Sequence, residues 1–444
     1  MKFLSSRSAC TGALLAFLAL VGCGGGSTVA SYSLSGTVSG LAIPRSLVLQ
    51  NAGERVTVTA DGNFSFPTAV PSGSSYSASI ETQPQGQACA LANASGTVRT
   101  AVTNLTVTCA NKPGRFVFVT NFYDGTISAL SITAGTGLLQ SIGTAVAGMS
   151  PLAIAVTPDG RYAYATNLGD NTISGFAINS SSGALSALSG SATATGGTPY
   201  GLAIEPVGQY LYVANSTDST LSGYRIDAGS GALTTIFTPI ATGQIPTVVA
   251  ADPSGAFLYV AYGGAPPGIT IYAINRSNGS LSAVGTYSTN AETTQGIAMA
   301  PSGGQLVLLT VTSANEARMQ TLAINGSTGT LSPLGTSLVS SYTPASITMS
   351  PSGNAVFVAD NQGNTFSRYA LDRTTGVLTL VGTMASAGGE PADLAVDPGG
   401  TFLYMTNQTD GTVSAYSVTG NGMPTSLGAN TSSGNRASRI TITY

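Results

Sequence analysis

A unit of 45 to 50 residues recurs along this chain, and it restricts the chain to an array of small antiparallel sheets. Its clearest mark is a Pro-x-Gly turn. The turn stands at Pro113-Gly114-Arg115 in a shifted form, then at Pro158-Asp159-Gly160, Pro206-Val207-Gly208 and Pro253-Ser254-Gly255. Later copies are Pro301-Ser302-Gly303, Pro351-Ser352-Gly353 and Pro398-Gly399-Gly400. The seven copies lie 45, 48, 47, 48, 50 and 47 residues apart. That spacing holds four short strands with their turns, the size of one propeller blade. The stretch Gly388 to Val418 shows the unit well. Two alternating apolar runs flank Asp397-Pro398-Gly399-Gly400, and a second turn, Asn407 to Gly411, leads into Thr412-Val413-Ser414-Ala415-Tyr416. Alternation with period 2 between Gly, Pro and Asn/Asp turns predicts strands.

The copies share an internal order. The strand after the Pro-x-Gly turn ends in Asn, as in Tyr164-Ala165-Thr166-Asn167, Tyr212-Val213-Ala214-Asn215 and Tyr404-Met405-Thr406-Asn407. A Gly-x-Leu turn then opens an outer strand, as at Gly183-Ala184-Leu185 and Gly376-Val377-Leu378. The first copy lacks its leading strand, and Arg439 to Tyr444 match that missing strand in register. The C-terminus is therefore expected to supply the innermost strand of blade 1, because an open seam would expose a strand edge. The expected fold is all-β: a seven-bladed propeller over residues 115–444, closed by the C-terminal strand and preceded by a small β-sandwich.

That sandwich is expected over residues 32–110, from alternating runs such as Tyr32 to Val38, Ser46 to Leu49, Arg55 to Val58, Asn63 to Phe66, Tyr76 to Ile80 and Asn104 to Thr108. Five to seven short strands fit there. Residues 1–22 read as a targeting segment, with Lys2 and Arg7 before an apolar run, Ala13 to Val21, too short to span a bilayer comfortably. Gly24-Gly25-Gly26 begins a tether over 23–31. Cys89 and Cys109 remain as a pair in an exported chain, which implies a disulfide. Charged residues are 7% of the chain, with a formal net charge of −3. That excludes the basic footprint nucleic acid requires. The chain has no histidine, which removes the commonest general base, the commonest zinc ligand and any Ser-His-Asp triad. No metal or cofactor is expected, and a monomer is.

Three resemblances add to this reading. Leu20-Val21-Gly22-Cys23 resembles the bacterial lipobox, which implies lipidation of Cys23 and, with Gly24 following, a cell-envelope protein of the outer membrane. Residues 32–110 resemble the Ig-like or transthyretin-like modules of bacterial exported proteins. The blade repeats resemble the Tyr-Val-Thr-Asn repeats of bacterial surface propellers and the lactonase-type propeller family, which includes 6-phosphogluconolactonase. That family carries a histidine at the position of Leu152 and acids in the following turn, where this chain has Asn167-Leu168-Gly169-Asp170.

Asp124, Asp170, Asp218 and Asp410 recur at one position after the repeated Asn, as turn formers or as a polar ring. Glu205, Asp252 and Asp397 precede the Pro-x-Gly turn and read as turn formers. Charges that break the repeat are more informative. Aligning the third residue of each leading segment gives Ala153, Gly201, Val248, Gly296, Ser346, Asp393 and Arg439. Asp393 and Arg439 fall in neighbouring blades once the ring closes, with Glu390 and Arg436 just upstream. They fit a general base with an oxyanion stabiliser, or a salt bridge locking the seam. Tyr200, Thr247, Gln295 and Arg436 are expected to rim the opening and bind a polar ligand. Two irregular loops, Gly263 to Gly268 and Ser313 to Arg318, are further places for specificity. The leading expectation is a non-catalytic binding protein, lipid-anchored at the membrane, with a glycan, small polar ligand or envelope protein as partner. One alternative is hydrolysis of a sugar lactone, with Asp393 or Glu390 as base and Arg439 as stabiliser. Another is a structural spacer or adhesin.

Overall fold

The computed structural model describes residues 29–42, 45–84, 86–290, 292–312, 316–340, 344–418 and 420–443. Cys23 and the targeting segment lie outside the described residues. Seven antiparallel sheets follow one another along the chain. Blade 1 runs from Leu139–Val146 at the rim through Thr126–Ile132 and Phe116–Asn121 to Ala437–Thr443 at the centre. In each remaining blade the first strand is innermost: Pro151–Val156, Pro199–Ile204, Pro246–Ala251, Thr293–Met299, Pro344–Met349 and Pro391–Val396. The seven inner strands touch in one closed cycle, with Ala437–Thr443 seated between Pro391–Val396 and Pro151–Val156. The expected closure by the last strand is thus observed, with Val119 paired to Ile440 and Phe116 to Thr443. In blade 7 the outer strand is broken into Thr425–Ser426 and Thr431–Ser432. Pro424 stands there where other copies have Leu, and it has no N–H for the ladder.

The repeat motif has a physical basis in each of its parts. The Asn that ends the second strand is fully buried at Asn121, Asn167, Asn215 and Asn407. Its side-chain amide donates to two hydroxyls of the third strand, as from Asn407 to Thr412 (3.0 Å) and Ser414 (2.8 Å). The same pair recurs at Asn121, Asn167 and Asn215. The Tyr three residues earlier is a latch between blades. The hydroxyls of Tyr164, Tyr212, Tyr259 and Tyr404 donate to the carbonyls of Gly231, Gly279, Gly329 and Gly137, each in the outer turn of the next blade. Those glycines have positive φ, and at Gly231 a Cβ would also meet the Tyr162 ring at 2.5 Å. Glu205, Asp252 and Asp397 are buried, and their carboxylates accept the amides of the Pro-x-Gly turn, as Asp397 does from Gly399, Thr401 and Phe402.

Before the propeller, two four-stranded sheets enclose their own core of Leu34, Leu47, Leu49, Val98, Leu105 and Val107. Leu34–Ser39 and Val102–Asn111 pair in parallel. Two strands that the alternation pattern passes over are Gln87–Ala92 and Ser95–Thr97. The first is rich in Ala, which has little strand preference. It carries Cys89 directly opposite Cys109, and the two form a disulfide.

Candidate active site at the channel mouth

All seven blades carry a β-bulge near the start of the inner strand, just after its first residue in six blades and after its second in blade 5. A bulge breaks the ladder and re-aims side chains. The threonine of the repeat fills the gap: Thr120, Thr166 and Thr406 accept the amides of Arg439, Ala153 and Asp393, each at 3.0 Å. The residue before the inner strand lies in the left-handed region at Ser150, Thr198, Ile245, Glu390 and Arg436. Glu390 and Arg436 thus hold one structural position in neighbouring blades.

A cavity of about 430 Å³ opens where the inner strands begin. Two rings of side chains line it. One ring is the second residue of the inner strands, Leu152, Tyr200, Ala345, Ala392 and Ser438, with the equivalent bulge residue Gln295 of blade 5. The other is the residue after the repeated Asn or its equivalent: Phe122, Leu168, Asn361 and Gln408, with Gln362 beside them. Pro344, Arg436 and Arg439 complete the wall, which holds no carboxylate among the described residues. Arg436 is stacked on an aromatic pair, its guanidinium 5.0 Å from the Phe122 ring centre and 5.1 Å from that of Tyr123, and it donates to the Tyr123 hydroxyl at 2.8 Å.

The structure brings four of the sequence-expected residues to this cavity: Tyr200, Gln295, Arg436 and Arg439. Asp393 lies beneath it. Its carboxylate accepts the Ser346 hydroxyl and the Ile440 amide (3.1 Å), and Arg439 Nη1 is 3.7 Å from Oδ1. Asp393 therefore joins the inner strands of blades 6, 7 and 1. Two expected residues do not line the cavity. Thr247 turns its hydroxyl into the protein, where it has no partner among the described residues, and inner strands 3 and 4 press so close that a Cβ on Gly201 would meet the Thr247 carbonyl at 2.4 Å. Glu390 is exposed on its loop, its amide donating to Asn364 at 2.7 Å. The sequence reading passes over Phe122, Asn361 and Gln408. The signal for them is their place directly after the recurring Asn or its equivalent, where the copies differ most.

The recurring acids bind loops rather than the cavity. Asp124, Asp170, Asp218 and Asp410 accept the amides of Asn435, Met149, Gly197 and Gly389, each two residues before an inner strand.

Together these features define a seven-bladed propeller with a polar, arginine-bearing pocket at one end of its channel. The model of the family described as lactonase, 7-bladed beta-propeller, matches residues 139–251, 247–345 and 338–439, and the chain belongs to that family. Among solved structures, the periplasmic gluconolactonase of Pseudomonas aeruginosa is 18% identical, with a TM-score of 0.64 over 74% of this chain and 99% of its own. A 6-phosphogluconolactonase candidate from Bacteroides uniformis is 18% identical, with a TM-score of 0.67 over 75% of this chain and 100% of its own. A protein from Lactobacillus plantarum is 20% identical, with a TM-score of 0.64 over 75% and 100%. At these identities the likeness is one of fold. No curated protein matches the chain.

Proposed function

We propose that the protein hydrolyses the lactone of a sugar acid in the channel-mouth cavity. The observation that carries the reading is a wall with two guanidiniums and, among the described residues, no carboxylate. A water attacks the lactone carbonyl carbon and passes its proton to solvent water, which places negative charge on the carbonyl oxygen; collapse then breaks the ring C–O bond, the ring oxygen takes a proton from solvent, and the product is a hydroxy-acid carboxylate. A guanidinium offers planar donors to both. Tyr200, Gln295, Asn361, Gln362 and Gln408 supply donors and acceptors for sugar hydroxyls. Asp393 serves here as a positioning residue. Its oxygens are held by Ser346 and Ile440, so it fixes where Arg439 points. Family membership supports turnover over the non-catalytic reading that the sequence alone favours.

Loss of one donor to a developing oxyanion costs about 10²–10³-fold in kcat. Arg439→Ala is expected to lower kcat for D-glucono-δ-lactone to that degree, measured by acid release against the spontaneous rate. Wild-type turnover no faster than the spontaneous rate across several lactones would sink the proposal. Binding of the corresponding aldonates without turnover would then favour a binding protein, a reading to which the engaged Asp393 carboxylate lends weight. Anchoring at the envelope through lipidated Cys23 is part of the same proposal. Cys23→Ala is expected to move the protein from the membrane to the soluble fraction.

A further inference from the structure

We infer that the ligand extends beyond the lactone ring, and that a second sugar ring of a disaccharide aldonolactone stacks on Tyr123 at the rim of the cavity. This inference rests on the proposed hydrolysis and deepens it. Among the described residues Tyr123 is the one exposed aromatic side chain, at 64%. Every other described Phe and Tyr is buried or half-buried, and several phenols are locked into latches between blades. An aromatic ring left in solvent on a chain that hides the rest calls for a reason.

Its setting supplies one. Tyr123 directly follows Phe122, which lines the cavity, and the two rings meet edge to face with centres 5.5 Å apart. Arg436, which also lines the cavity, spans both rings and donates to the Tyr123 hydroxyl at 2.8 Å. The blade 1 loop is tied down as well, since the amides of Phe122 and Tyr123 donate to the carbonyls of Arg436 and Asn435. The phenol is therefore a held platform, continuous with the pocket wall. Aromatic faces carry negative charge density and pack against groups with positive edges. The C–H face of a pyranose is such a group, and the guanidinium beside it suits the hydroxyls around that face. Phe122 and Arg436 both line the cavity and both touch Tyr123, so a glycosyl residue projecting on that side from a lactone held in the cavity meets this ring.

The test compares maltobiono-δ-lactone with D-glucono-δ-lactone on the purified full chain. Wild type is expected to favour the disaccharide by about tenfold in kcat/KM, the scale of one aromatic stack. Tyr123→Ala is expected to bring the ratio of the two close to one. Tyr123→Phe, which keeps the ring and removes the hydroxyl, is expected to retain the preference. A wild-type ratio near one, or a ratio that Tyr123→Ala leaves in place, overturns the inference. If neither lactone is turned over, the hydrolysis reading fails separately. Titration calorimetry with maltobionate and gluconate then applies the same tenfold criterion to Kd: a preference abolished by Tyr123→Ala upholds the platform, and equal affinities overturn it.

Discussion

Asn407 shows what a single side chain contributes to this architecture. It donates to Thr412 and Ser414, accepts from Ser386, and is fully buried. Removing it leaves hydroxyls in the interior without their donor, and a buried group stripped of its partner costs about 1–3 kcal/mol. Asn407→Ala is expected to destabilise the protein by about 2–3 kcal/mol in urea unfolding, well above the effect of surface substitutions. Blade 6 shows how the site adapts when the donor is lost. Asp360 stands at the Asn position, where a carboxylate has no N–H to give. It accepts the Gly363 amide instead, and Ser367 turns to Thr383. The motif was legible in the sequence as a repeated Asn followed by Thr-x-Ser. Its partners were not, because hydrogen bonds between strands depend on a register that only the paired sheet defines.

At the scale of the element, the inner and second strands divide the work. The second strands carry the tyrosine latches that join blade to blade. Burial pushes the phenols of Tyr164, Tyr212, Tyr259 and Tyr404 well above their ordinary range. Their folded-state values therefore exceed those of the unfolded chain, near 10. Below that pH both states hold the proton and the latches contribute fully. Above it the unfolded chain ionises first, so stability falls as pH rises toward the folded-state values. The melting temperature is expected to fall above about pH 10, with phenolate absorbance appearing only as the protein unfolds. Absorbance rising before unfolding would contradict the burial of these rings. The inner strands carry the candidate site, and this was the less legible half. Asp393 and Arg439 stood out because they break the pattern of small residues. Phe122, Asn361 and Gln408 did not, because a turn following Asn reads as solvent-facing loop. Only the paired sheets and the closing of the ring bring that position to the cavity at the start of the inner strands. Thr247 and Glu390 show the converse, residues expected at the opening that do not line the cavity. Each occupies a correct repeat position, but local packing and the left-handed backbone at Glu390 decide where the side chain goes.

Taken whole, the molecule is a ring whose first blade is assembled from both ends of the propeller. Repeat spacing made the ring and its closure readable, since the missing strand of the first copy and the unmatched strand at the end are one observation. Asp393 and Arg439 meet where those ends join, so the cavity and the seam share residues. Timing follows from this. Thr120 and Arg439, which share a hydrogen bond across the seam, are 319 residues apart. At a typical synthesis rate of about 5–20 residues per second, the earlier segment waits about 15–65 s for its partner. Throughout that interval the strand Phe116–Asn121 presents an unclaimed edge to every other chain nearby. A nascent copy is thus vulnerable longest at its first blade, and the arrival of the strand Ala437–Thr443 is the event that ends the exposure and completes the pocket wall together.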